Sequence, residues 1–202
     1  MKKYFLLGLF VILILAGCSK PEKAGVIGAN AEARGAFAAP FSAFKSAFEA
    51  KDYGKALAGL RSLTETFWAE SPLLLGNAKF VKGDNNSYGI YEPKENDVFT
   101  AGEPIYLYVE PAGFAVTRNP AGYFEFGFKV DFQVVDGGGT VLGGQTNFAV
   151  LPFKSWNVNT EMSLTFTYTL SGLEKGKYKI ITQVSDMHSA KKATNEKSFA
   201  IE

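Results

Sequence analysis

Phe124-Glu125-Phe126-Gly127-Phe128-Lys129-Val130-Asp131-Phe132-Gln133-Val134 alternates apolar residues with polar or small ones without a miss. Successive side chains of an extended chain point to opposite faces, so this stretch predicts a long β-strand with one face in a core and the other in water. The same period of two returns downstream. Leu164, Phe166, Tyr168 and Leu170 alternate with Thr165, Thr167 and Thr169, and Tyr178, Ile180, Thr182 and Val184 follow the rule again. Residues 105–109, 141–150 and 198–201 are further strand candidates. Asn119-Pro120-Ala121-Gly122, Asp136-Gly137-Gly138-Gly139 and Ser171-Gly172 supply the turns between them. About seven short strands separated by polar turns predict a mainly β domain over residues 84–202, built as a seven-stranded antiparallel sandwich.

Upstream the period is that of a helix. Phe37, Phe41, Phe44 and Phe48 recur at spacings of four, three and four, placing four rings on one helix face. Pro40 falls in this pattern, and the expectation is that the regular helix begins there, with proline in its first turn. Lys51-Asp52-Tyr53-Gly54 breaks the run, Leu57, Leu60, Leu63, Phe67 and Trp68 mark a second amphipathic stretch, and Ser71-Pro72 ends it. Residues 36–83 therefore read as a helical hairpin and linker. Residues 47–57 resemble the turn of a tetratricopeptide hairpin, with Lys51 where that family usually has glycine. A single such unit must bury its apolar face on something, and the nearest partner is the domain that follows.

At the amino end, Lys2 and Lys3 precede an apolar run from Tyr4 to Leu15, which is too short to cross a bilayer and reads as a secretory signal. Its close, Leu15-Ala16-Gly17-Cys18, resembles the lipobox of bacterial lipoproteins at all four positions. The resemblance implies that residues 1–17 are a signal peptide removed before Cys18, that Cys18 carries a diacylglyceryl group, and that residues 18–35 form a lipidated tether to a membrane. Ser19 after the cysteine implies, for a Gram-negative source, export to the periplasmic face of the outer membrane. A second resemblance lies in Leu173-Glu174-Lys175-Gly176-Lys177-Tyr178, which is similar to the tyrosine corner of immunoglobulin-like and fibronectin type III-like domains. There the phenol bonds back to the upstream backbone before the penultimate strand. It implies that residues 178–185 are the sixth strand and residues 193–201 the seventh.

The chain has 202 residues, 21 Lys and Arg, 20 Asp and Glu, and a formal charge of +1. That near balance argues against a nucleic-acid partner, which calls for a gathered basic excess. One Cys and one His, Cys18 and His188, exclude an internal disulfide and a zinc site made of Cys and His alone. No Gly-x-Ser-x-Gly elbow, Gly-rich phosphate loop or His-Glu-x-x-His occurs, and no cofactor or metal is expected. Gly137-Gly138-Gly139 reads as a hairpin turn, His188 as an exposed turn residue, and Asp84-Asn85-Asn86-Ser87 as a linker rather than a calcium loop. Glu125 and Asp131 share a strand face but lie about 20 Å apart along it. That is too far for a glycosidase pair, whose carboxyls sit within about 5–10 Å.

Rings are the remaining candidate for a surface. Tyr88, Tyr91, Phe99, Tyr106, Tyr108, Phe114 and Tyr123 crowd one part of the β region. With Ile105, Leu107 and Val109 turned to the core, Tyr106 and Tyr108 are expected to face outward as a flat ligand-binding platform, with Trp156 as a further exposed ring. The alternative is that the helical hairpin covers them. The expected protein is a non-enzymatic, membrane-anchored envelope lipoprotein whose β domain docks a protein partner. Binding of a glycan or small ligand through the same rings is the alternative, and a hydrolase using carboxylates is a third reading.

Overall fold

The computed structural model describes residues 31–202, so the signal, the lipobox and Cys18 lie outside the described residues. Two helices come first, α1 (Ala31–Glu49) and α2 (Tyr53–Glu70). Asp52 caps α2, its carboxylate accepting the Lys55 N–H at 3.1 Å. The helices pack along each other through small residues. Ala47 and Ala56 are buried, and a Cβ on Gly59 would stand 2.9 Å from the Phe44 Cα. Phe37 stacks on Phe67 with ring centroids 4.1 Å apart. Pro40 does not begin the helix; it sits inside α1, nine residues from its start. Its ring removes one backbone hydrogen bond, but rings on both sides of it pack toward α2, which holds the two halves in line.

The remainder is mainly β, with seven strands of five or more residues and two of two residues. In chain order they are β1 (Leu74–Val81), β2 (Val98–Phe99), β3 (Ile105–Ala112), β4 (Thr117–Arg118), β5 (Phe124–Asp136), β6 (Val141–Ser155), β7 (Leu164–Tyr168), β8 (Gly176–Asp186) and β9 (Lys192–Ile201). One sheet runs β1-β3-β7. The other runs β2-β9-β8-β5, with β6 on the free side of β5 and β4 against the first residues of β5. Pairing is antiparallel except between β2 and β9, which are parallel, a departure from the expected all-antiparallel arrangement. Leu107, Phe166 and Tyr168 of the first sheet and Phe128, Val130, Ile180 and Val184 of the second share one buried core.

The sheets begin earlier than the sequence suggests. Residues 74–81, expected to be linker, pair with β3 as its outer neighbour. Their alternation is broken at Asn77, which has φ 48° and sits where the register shifts between Gly76 and Lys79. A bulge of this kind turns the side chains out of step and hides the period of two. Residues 82–94 then double back along β1, with Lys82 N–H on Glu92 O and Lys94 N–H on Phe80 O, each at 2.9 Å.

One polar pair lies inside the core. The Tyr168 hydroxyl of β7 and Thr182 Oγ1 of β8 are 2.7 Å apart, tying the two sheets together, and neither side chain is exposed. Burial pushes the Tyr168 phenol far above its ordinary pKa. Replacing Thr182 with valine keeps the shape and strands the phenol without a partner, which destabilises the fold by about 1–3 kcal/mol. Tyr168→Phe added to Thr182→Val recovers most of that loss. Urea unfolding of the two single variants and the double closes the cycle; additive losses would mean the pair is uncoupled.

Candidate functional site

The expected tyrosine platform does not exist. Tyr108 is fully buried although it shares its strand face with half-buried Tyr106. The cover is the doubled-back segment between β1 and β2, not the helices. Tyr91 lies over the Tyr108 ring at 4.4 Å. The Tyr108 hydroxyl accepts the Gly89 N–H at 2.9 Å and lies 2.7 Å from Glu110 Oε1 and 3.2 Å from Ser87 O. Asn86, read as linker, anchors the same cover through Gly83 O and Thr165 Oγ1. Burial, with the Glu110 carboxylate beside it, raises the phenol pKa. Tyr106 borders a shallow recess next to Lys94 and Glu103 and offers no open ring face with Tyr108.

Trp156 is different. It follows the end of β6 and is 76% exposed, the most exposed large apolar side chain among the described residues. Its ring meets Tyr123 edge-on, with centroids 6.2 Å apart and planes at 83°. Tyr123 is presented by a turn in which Asn119 N–H bonds Tyr123 O at 2.7 Å and Gly122 N–H bonds Asn119 O at 2.8 Å. Lys154, two residues before Trp156 and so on its face of β6, holds its ammonium 4.8 Å above the Tyr123 ring. The same ammonium lies 3.9 Å from Glu125, and Asn119 Nδ2 donates to the other Glu125 oxygen at 3.1 Å. Trp156, Tyr123 and Lys154 therefore form a braced aromatic corner at the end of the larger sheet.

A crevice of about 740 Å³ opens beside that corner. Leu57, Leu60 and Arg61 of α2 line one wall, and Phe124, Asn157 and Val158 line the other. Leu57 and Leu60 are exposed across it. The wall made by α2 is held by two groups, Trp68 and Lys191, and Asp186 ties together the loops beside them. Trp68 Nε1 donates to Phe114 O at 2.9 Å while its ring meets Phe114 edge-on at 5.1 Å. The Lys191 ammonium donates to Ala69 O and Gly113 O, both at 2.8 Å. Asp186 is buried and accepts the Ala115 N–H at 2.6 Å and the His188 N–H at 2.7 Å, joining the loop after β3 to the loop after β8.

Sequence reading singled out Trp156, but not the crevice, Lys154, Asp186 or Lys191. An acidic residue at the end of an apolar strand was the one available signal for Asp186, and nothing local announces that it is buried. Glu125 and Asp131 have structural partners instead of each other: Asp131 Oδ1 accepts the Asn147 N–H at 2.6 Å at a bulge of β6. His188 is exposed, as its turn implied. Among the described residues, no group of three or more His, Cys, Asp and Glu side chains gathers as a metal site would need. What the corner and crevice offer is apolar area, one exposed indole, and a rim of Arg61, Asn157 and Lys154, a set suited to recognition.

No protein family matches the sequence, and no curated protein matches it. Among solved structures, the chain is similar to CopC from Methylosinus trichosporium OB3b at 13% identity and a TM-score of 0.31, over 62% of this chain and 94% of that one. It is also similar to the alkylpurine DNA glycosylase AlkC of Pseudomonas fluorescens, solved bound to DNA containing an abasic site analog, at 8% identity and a TM-score of 0.35, over 74% of this chain and 38% of that one. Similarities at this level carry no functional argument. The class defined by fold and site is a mainly β two-sheet protein with an appended helix pair and an exposed aromatic corner.

Proposed function

We propose that this chain is a non-enzymatic envelope lipoprotein, tethered through a lipid on Cys18, whose β domain docks a protein partner at the Trp156 corner and the adjoining crevice. The single observation that carries the docking reading is Trp156 itself. An indole left 76% exposed, braced by Tyr123 and placed beside an apolar crevice, is a typical anchor for a protein contact. The lipobox residues Leu15-Ala16-Gly17-Cys18 support the tether, and their resemblance to exported lipoproteins supports an address on the periplasmic face of the outer membrane. An immunoglobulin-like order of strands belongs to the same reading. It is supported by a β1-β3-β7 sheet facing a β9-β8-β5 sheet and by the Tyr178 hydroxyl bonding back to Glu174 O at 2.7 Å at the start of β8.

Photocross-linking in intact cells tests the proposal, with a photoreactive phenylalanine analogue at position 156. A single dominant protein adduct is expected, and Cys18→Ala should abolish it by removing the membrane address. Trp156→Ala should weaken the isolated complex on the order of thirtyfold, the scale of an interface anchor. Scattered adducts with no dominant product would sink the docking reading. A glycan is the second reading, favoured by the open face of Trp156. Binding of the unlipidated chain to a glycan array, abolished by Trp156→Ala, would put it first.

A further inference from the structure

The helix pair carries further exposed rings toward the turn between its helices, with Tyr53 one helical turn before Leu57 of the crevice wall. Phe41 is 56% exposed, Phe48 58% and Tyr53 61%. Phe41 and Phe48 are seven residues apart and therefore stack along one side of α1, and the Phe48 ring meets Tyr53 of α2 edge-on at 6.5 Å. These rings cluster toward the turn between the helices. The bonds from Trp68 and Lys191 that fasten α2 to the sheets lie in its last turns, at the opposite end. Nothing in the core of the sheets requires three rings in water there.

We propose that this end of the helix pair rests in the interface of the lipid bilayer. The inference relies on the tether reading for its address, and the length of chain upstream argues for it. Residues 19–30 separate Cys18 from the start of α1. Fully extended, that linker reaches at most about 45 Å, against about 28 Å for the length of α1. A lipid on Cys18 therefore keeps the helix pair within one molecular length of an apolar phase, with enough slack for the rings to reach it. Charge indicates how they bind. Residues 31–70 hold five Lys and Arg and five Asp and Glu, and Lys45 and Lys55 are paired with Glu49 and Asp52. The surface has no basic excess with which to select anionic lipids. Burial of the Phe41 and Phe48 rings, with the Tyr53 phenol at headgroup level, drives the contact.

The test uses the chain from position 18 onward with Cys18→Ser, which keeps every described element and carries no lipid. It should sediment with vesicles of phosphatidylcholine, and equally with vesicles of phosphatidylethanolamine and phosphatidylglycerol, with little dependence on salt. Phe41→Ser, Phe48→Ser and Tyr53→Ser together should reduce that binding at least on the order of tenfold. Because no other cysteine is present, Lys51→Cys can carry a polarity-sensitive dye at the turn, whose emission should shift to the blue on adding vesicles. A matched thermal melt shows that the triple variant is folded, and the dye reports independently of it. Failure to sediment together with an unshifted dye overturns the inference. So does binding that needs anionic lipid and vanishes in salt, or a ring-dependent dimer seen by light scattering in place of vesicle binding. Palmitate labelling of the full chain, lost in Cys18→Ser, tests the tether separately. A chain that labels while its unlipidated form ignores vesicles loses only this inference; the reverse loses only the tether.

Discussion

Phe114→Ala should lower the stability of the fold by about 3–5 kcal/mol in urea or thermal unfolding, the usual range for emptying a fully buried phenylalanine site. Phe114 has no exposed surface. It stacks on Phe126 at 5.0 Å and meets Phe128 edge-on at 5.3 Å, both from the central strand β5. On its other side it meets Trp68 edge-on at 5.1 Å, so one ring fills the core and seats the helices. Its truncation should therefore also loosen α2, seen as a change in Trp68 fluorescence before global unfolding. A loss below about 1 kcal/mol would mean that the site collapses without leaving a cavity, and that this ring does not couple helices to sheets.

Gly113→Ala, one residue earlier, should be comparably damaging, at about 3 kcal/mol or more, through sterics instead of a void. Gly113 has φ 75°, a conformation that costs an L-residue about 1–2 kcal/mol. A Cβ there would also collide with the Pro72 carbonyl oxygen. That carbonyl belongs to the segment joining α2 to β1 and cannot move without displacing the helices. The Lys191 bond to Gly113 O should be strained at the same time. Differential scanning calorimetry checks the loss. Hydrogen exchange in α2 then tells whether the helices come loose first. A variant as stable as the parent would show that the segment after α2 yields freely, and that the crevice wall is not held from this side.

Both predictions concern a joint that no stretch of sequence displays. The strands themselves were readable because alternation is a local consequence of pleating: β5, β7, β8 and the end of β9 appear where their apolar residues recur. The bond from Tyr178 to Glu174 O is what the resemblance of residues 173–178 to a tyrosine corner implied, and its partners are only four residues apart. β1 was missed because the bulge at Asn77 breaks its period. Pro40 was misplaced because ring packing between α1 and α2 outweighs a local helix breaker. Tyr108 fails in a more instructive way. Alternation correctly assigns it to the face opposite Leu107, but the period of a strand says which side a residue faces and nothing about what later covers that side. Tyr91, Gly89 and Ser87, 17 to 21 residues upstream, supply the cover.

The amino-acid order alone thus determined the mainly β class, the helical amino-terminal part, most strand positions and the exposure of Trp156. Each follows from side-chain period and turn chemistry within a dozen residues. The resemblance of residues 15–18 to a lipobox is equally local and rests on no fold. Tertiary structure alone decided that Tyr108 is core, that Asp186 and Lys191 are fasteners, and that α2 stands against Phe124 and Val158 to open a crevice beside Trp156. Those outcomes depend on contacts between residues many tens of positions apart. Burial and hydrogen bonding across such distances are settled by which surfaces meet when the two sheets close on one core.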